Sequence, residues 1–190
     1  MNDADQLRRL LLERSVRRGD FVLASGQRSS YYIDCRPTTM SAEGQVLIGR
    51  LGLAALQAAE WRPRAIGGLT MGADPVAYAI AAASWSSGSA IDAFSVRKEA
   101  KGHGTGRLIE GNFQAGDPVV VVEDVITSGG SAERAISALN DAGGKVLGVL
   151  AVVDREQGGR EHLTQLGYSV VSITTTSELG LAPSTASSSQ

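Results

Sequence analysis

Residues 119–134 read VVVVEDVITSGGSAER. Four consecutive valines with no polar alternation predict a strand covered on both faces, as in a parallel sheet sandwiched between helices. Glu123 and Asp124 close that strand, at the edge where open parallel sheets bind their ligands. The segment that follows, Val125, Ile126, Thr127, Ser128, Gly129, Gly130 and Ser131, is small and rich in glycine and hydroxyls, and it runs into the helix SAERAISALNDAGG. Glycine tolerates the dihedrals that turn backbone N–H groups inward, and a helix N-terminus favours an anion, so this segment predicts a phosphate cradle. It has neither the GK[ST] ending of a nucleoside-triphosphate loop nor the GxGxxG of a dinucleotide fold.

Two carboxylates would repel a phosphate lying on them. Glu123 and Asp124 are therefore expected to address another part of the same ligand, either hydroxyls or a bound divalent cation. A ribose 5-phosphate offers both parts. The competing reading is an N-capping turn whose acids merely end a strand.

Working outward, the chain alternates strands and helices. The short apolar strand AIGGL (65–69) precedes a helix through VAYAIAAAS, with Asp74 and Pro75 read as its N-cap and first-turn proline. IDAFSV is the next strand; KVLGVLAVV and YSVVSIT follow PVVVV, with a helix near 159–166 between them. Ser41 is expected to cap a long helix through VLIGRLGLAALQAAE, in which Gly44, Gly49 and Gly52 either weaken the helix or mark close packing. Upstream, Leu7, Leu10, Leu11 and Val16 lie near helical spacing, and FVLASGQRSSYYIDCR reads as a hairpin. The fold class is α/β, a mostly parallel sheet flanked by helices.

Composition narrows the function. A chain of 190 residues with 43% hydrophobic content forms one sizeable core. Residues 1–180 are read as one domain and APSTASSSQ, at the end of the sequence, as part of a disordered tail over 181–190. Eighteen basic and twenty acidic residues give a net charge of −2, which points away from nucleic acid and anionic membranes. The N-terminus lacks the long apolar run of a signal peptide, and no stretch reaches the roughly 20 apolar residues of a membrane span, so a cytoplasmic protein is expected. The single cysteine, Cys35, is read as a spectator thiol.

The segment RKEAKGHGTGRLIEG (97–111) puts Arg97, Lys98, Lys101 and His103 next to glycines, each of which costs a helix roughly 1 kcal/mol. It is expected to form a mobile cationic lid over a highly charged group, or else a merely basic surface loop. Three further stretches join it. VVVVEDVITSGG resembles the phosphoribosyl-diphosphate signature of the type I phosphoribosyltransferases, and RKEAKGHG resembles the R-K-x-x-K-x-H-G loop of orotate phosphoribosyltransferases. LASGQRSSYYID is similar to that family's L-K-S-G-x-x-S-x-Y-x-x-D hairpin, and VVDREQGG to its D-R-x-x-G turn. The chain departs from the pattern at Ala24 and Met71, where many members have lysine, and at Glu123, where aspartate is common.

The resemblance implies a type I phosphoribosyltransferase fold with a small N-terminal hood formed within residues 1–40. It implies transfer of ribose 5-phosphate from phosphoribosyl diphosphate to N1 of orotate, with Mg2+ as cofactor held mainly by substrate rather than protein. Lys101, Asp124 and His103 would be catalytic. Arg97, Lys98, Glu123 and the 125–131 loop would bind phosphoribosyl diphosphate, while Thr127 and Arg155, with the Tyr32 region, would receive orotate. Arg28, the lid, or the backbone of residues 70–73 would compensate for the missing lysines. On its residues alone, Arg155 fits a salt bridge to Asp154 or Glu156 equally well. A homodimer with shared active sites is also implied, Arg97, Lys101 and His103 serving the neighbour and Lys98 its own subunit. A purine phosphoribosyltransferase would share the loop without needing the lid, and a regulator on this fold would carry a DNA-binding element or basic face.

Overall fold

A computed structural model describes residues 2–22, 28–99 and 108–181. In chain order the elements are α1 (Asp3–Arg14), β1 (Val16–Val22), β2 (Arg28–Ile33), α2 (Arg36–Thr39), α3 (Ala42–Ala58), β3 (Ala65–Leu69) and α4 (Ala73–Ser86). Then come β4 (Asp92–Val96), β5 (Ile109–Gly111), β6 (Pro118–Ile126), α5 (Gly130–Asp141), β7 (Lys145–Asp154), α6 (Gly159–Gln165) and β8 (Val170–Thr175). Among the described residues six strands share one sheet in the order β5-β4-β3-β6-β7-β8, parallel throughout except for β5 against β4.

The valine run sits at the centre of this sheet because both of its faces are covered. Val120 and Val122 join the core built with α1, α3 and α4, whereas Val119 and Val121 join the core built with α5 and α6. All four are fully buried. Each such side chain contributes about 1.5–3 kcal/mol on leaving water, so a polar residue anywhere in the run would be costly on one face or the other. Leu181, expected to begin the tail, is instead buried with Leu179 in the core formed with α1 and α3; residues 182–190 lie outside the described residues.

Several local expectations change in the folded chain. Val16 does not extend α1 but opens β1, opposite Ile33. Ser15 ends the helix, its hydroxyl bonded to the Thr38 hydroxyl at 2.7 Å and its carbonyl accepting the Asp34 N–H at 3.0 Å. Asp74 is not the cap of α4: the helix starts at Ala73 after Gly72, and the Asp74 carboxylate accepts the Ser95 hydroxyl at 2.7 Å. A neighbouring strand has captured the carboxylate, which still lies in the first turn where the helix dipole favours it. β5 falls in the polar interval after Arg97 and is too short to show a period. The one-turn α2 carries Pro37 in its first turn. β1 and β2 form the predicted hairpin; its turn, with Ala24, lies outside the described residues.

Ser41 caps α3 as predicted, accepting the Gly44 N–H at 3.0 Å. The α3 glycines mark close packing: a side chain at Gly49 would meet the Ala79 carbonyl at 2.6 Å and the Ala83 methyl at 3.0 Å. Gly49→Val should therefore wedge α3 from α4 and lower stability by about 1–3 kcal/mol, several degrees in the unfolding midpoint. Calorimetry reads the shift, and an unchanged midpoint would show that the two helices part freely.

Candidate active site

The carboxyl ends of β3, β6 and β7 converge on one edge. After β6 the chain turns through Thr127 and Ser128 to Gly129, whose φ of 84° lies in the left-handed region, and enters α5. Gly129 has no side chain to cap the helix, so first-turn N–H groups remain for an anion. Residues 125–132 and Glu123 line a cavity of about 80 Å³ there. The loop rests on the start of α6, where a side chain at Gly159 would meet the Thr127 carbonyl and the Ile126 side chain, each at 2.5 Å. That contact explains Gly159, whereas Gly158 before it has a φ of 87°, in the left-handed region.

Glu123 is 6% exposed and its Oε1 atom has no hydrogen-bond partner among the described residues. Burial pushes its carboxyl up to about 8, the Asp124 charge adds to this, and the Arg134 charge opposes it. Asp124 is half-buried, and burial also raises it, opposed by the hydrogen bond its Oδ1 accepts from the Val125 N–H at 2.9 Å. With Glu123 protonated at neutral pH, the acid pair repels an incoming phosphate less than two free carboxylates would. The β3–α4 turn lies directly over the pair, since a side chain at Gly72 would meet Asp124 Oδ1 at 2.5 Å.

The acids open into a cleft of about 300 Å³ that Tyr32, Asp34, Arg36, residues 69–72, Lys98, Ser131 and Arg134 complete. Arg36 is committed within it, donating from Nε at 2.8 Å and Nη2 at 2.9 Å to the two Asp34 oxygens, and the Arg36 hydrogen bond holds the Asp34 carboxyl below its usual range. Cys35, beside it in sequence, is fully buried, and burial and then the Asp124 charge raise its thiol well above the usual range, as befits a spectator.

Arg155 follows β7 and is 5% exposed. Neither flanking acid takes it. Asp154 accepts Arg160 Nε at 2.8 Å, and Glu156 accepts the Thr176 hydroxyl at 2.8 Å and the Ser177 N–H at 2.7 Å. The Arg155 guanidinium lies 5.4 Å from the Tyr31 ring centroid, with Nε and Nη2 buried and without partners among the described residues. A buried cation with idle donors is costly unless an anion completes it.

The remaining predicted residues divide. Lys98 lines the cleft, while Arg97 is held at the root of β5, Nη1 3.7 Å from Glu110 Oε1. Thr127 belongs to the phosphate cradle and Tyr32 to the cleft. Arg28 pairs with Asp20 at 3.4 Å on the exposed hairpin, so its charge is engaged there. Lys101 and His103 lie outside the described residues. No group of three or more His, Cys, Asp or Glu side chains among the described residues is placed to hold a metal ion, and no described helix is long and apolar enough to cross a membrane. The Asp154–Arg160 clamp and the cleft-facing Arg134 went unread in the sequence, because both depend on residues brought together from different elements.

A central parallel strand that delivers two acids and a glycine-rich loop to the N-terminus of α5 defines a type I phosphoribosyltransferase, and the phosphoribosyl transferase domain family matches residues 47–177. The chain belongs to the orotate phosphoribosyltransferases. It is 46% identical over 182 residues to the orotate phosphoribosyltransferase of Aquifex aeolicus, covering 94% of this chain and 98% of that one. The enzyme of that name from Mycobacterium tuberculosis is 45% identical over 179 residues, covering 94% and 97%. A crystal structure of the Mycobacterium tuberculosis H37Rv protein with 5-phospho-alpha-D-ribosyl 1-diphosphate superposes with a TM-score of 0.80 at 41% identity, over 95% of this chain and 100% of that one. An adenine phosphoribosyltransferase from Thermoanaerobacter pseudethanolicus, 13% identical with a TM-score of 0.60 over 90% of this chain and 99% of that one, shares the fold.

Glu123 also makes stability depend on pH. Its folded value, about 8, lies above the ordinary 4.5, so the folded chain retains a proton that the unfolded chain has lost. The stabilisation is complete below the ordinary value and is lost as pH rises through about 8. Thermal unfolding across this window should show the wild type losing stability with rising pH and Glu123→Gln losing less. Parallel profiles would mean that Glu123 titrates normally.

Proposed function

We propose that this chain transfers ribose 5-phosphate from phosphoribosyl diphosphate to N1 of orotate, forming orotidine 5-phosphate and releasing diphosphate in pyrimidine synthesis, as a cytoplasmic enzyme whose residues 1–180 act as one domain. The observation that carries this reading is Arg155, a buried guanidinium with idle donors, emerging beside the phosphate loop. Its planar fork suits a carboxylate, which orotate has and the purine bases lack. The 5-phosphate would lie in the 125–131 cradle with the ribose hydroxyls toward Glu123 and Asp124, and Thr127 and the Tyr32 region would border the base.

The chemistry needs charge in the right places more than a nucleophile from the protein. The anomeric C–O bond breaks with its electron pair leaving on diphosphate, the N1 lone pair of orotate forms the new bond, and the N1 proton is lost to the departing diphosphate or to solvent. Asp124 stabilises the cationic character of the sugar, and Lys98, with Arg97, Lys101 and His103, stabilises the departing polyanion. The Asp124 carboxylate, and Glu123 Oε1 once its proton is displaced, fit the oxygen ligands that Mg2+ takes, so these two residues would complete a coordination sphere drawn mainly from substrate. When bound, the ion would offset the charge of the leaving group.

An absorbance assay of orotate consumption with phosphoribosyl diphosphate and Mg2+ tests the reading, with hypoxanthine and adenine as alternative acceptors. In it, Arg155→Ala should raise KM for orotate about tenfold or more and KM for phosphoribosyl diphosphate by less than about twofold, since a charge-assisted hydrogen bond is worth about 1.5–3 kcal/mol. Equal increases would make Arg155 a structural turn residue.

The active unit in this reading is a two-fold dimer in which Arg97, Lys101 and His103 of one subunit serve the other, while Lys98 serves its own. The turn of Arg97 toward Glu110, with Lys98 toward the cleft, supports that division. Lys101→Ala and Asp124→Asn, each inactive alone, should regain activity when unfolded and refolded together, because one site of each mixed dimer is then intact. Mixed dimers verified by mass spectrometry but as inactive as their parents would mean that Lys101 acts within its own subunit.

A further inference from the structure

Three cationic side chains among the described residues line the cleft that holds the acid pair: Arg36, Lys98 and Arg134. Arg36 is held by Asp34 through two hydrogen bonds, which neutralises much of its charge. Arg134 is exposed, with no ion pair or hydrogen bond among the described residues, yet its charge is felt at Glu123. It is not there to neutralise that acid by contact, since Glu123 Oε1 has no partner.

Its position separates it from the phosphate cradle. Arg134 lies three residues after Ser131 on α5, so both side chains share a helix face, and both line the cleft. Ser131 also lines the small cradle, whereas Arg134 does not. α5 packs on β3 as well as β6, which carries its face toward the end of β3, where residues 69–72 border the same cleft. Met71 stands there, 59% exposed and without charge. A ligand with one phosphate in the cradle and its hydroxyls at the acids must extend any further phosphates into this remaining space.

We infer that Arg134 is a substrate-binding residue that contacts the diphosphate group of phosphoribosyl diphosphate from the α5 wall of the cleft. The inference rests on the phosphoribosyl-transfer reading above. Diphosphate carries several negative charges, and a guanidinium can meet two of its oxygens at once through paired N–H donors. Arg134 thereby brings to this side of the cleft a positive charge that Met71 does not.

Calorimetric titration with inorganic diphosphate in the presence of Mg2+, and separately with orotidine 5-phosphate, tests it on wild-type protein, Arg134→Gln and Arg134→Lys. Arg134→Gln should weaken diphosphate binding about tenfold and Arg134→Lys less, with orotidine 5-phosphate affinity within about twofold for both. Diphosphate affinity unchanged in Arg134→Gln overturns the inference, as does an equal loss for orotidine 5-phosphate, which would move Arg134 to the 5-phosphate. Orotate turnover by the same wild-type preparation separates the two readings. Turnover with diphosphate affinity indifferent to Arg134 removes Arg134 alone, whereas an Arg134-dependent diphosphate site in a protein that consumes no orotate removes the acceptor and leaves the contact standing.

Discussion

Glu123 and Asp124 lie near the carboxyl end of β6, where burial raises both carboxyls above their ordinary values. A strand covered by helices on each face has to stay apolar until the helices run out, and Glu123 is the first polar residue after the valines. It is still buried, so keeping both acids ionised without partners would be costly. The folded chain meets this constraint by leaving Glu123 protonated and by giving Asp124 the Val125 N–H. Glu123 Oε1 is then left without a partner among the described residues.

The surrounding segments approach so closely because glycine stands at the points of contact. Gly72 lets the β3–α4 turn lie over Asp124, and Gly159 lets the start of α6 support the Thr127 carbonyl. Neither glycine has a positive φ, so what matters at both is the absence of a side chain rather than backbone freedom. The loop after β6 is thus held between the start of α5 and the start of α6.

Charges around the cleft fall into two sets. Asp34 holds Arg36, Asp154 holds Arg160, and Asp20 holds Arg28; these pairs shape loops and the hairpin. Arg155, its idle donors over Tyr31, and Arg134 in the cleft wall have no such partner among the described residues. Such unspent cations give a protein with a net charge of −2 a locally positive region.

Read by itself, the sequence determined the α/β class, the central strand, the acid pair at its end, the glycine-rich loop before α5, the cap of α3 and the order of most elements. These rest on local rules, since an unbroken apolar run, a glycine-rich loop before a helix and a serine cap act within a few residues. Its four motifs also pointed to the family. Only the tertiary structure decided that Val16 pairs with Ile33 instead of extending α1, that Ser95 takes Asp74 from its capping position, and that three residues of a polar interval form an edge strand. It alone decided which arginines are committed and which are idle, and it alone brought Arg134 into the cleft. That Arg155 forms no salt bridge with its flanking acids showed only when Asp154 and Glu156 were seen bonded to Arg160, Thr176 and Ser177. Ion pairing depends on which distant segments meet, and a charge in sequence carries no record of the partner that packing will give it.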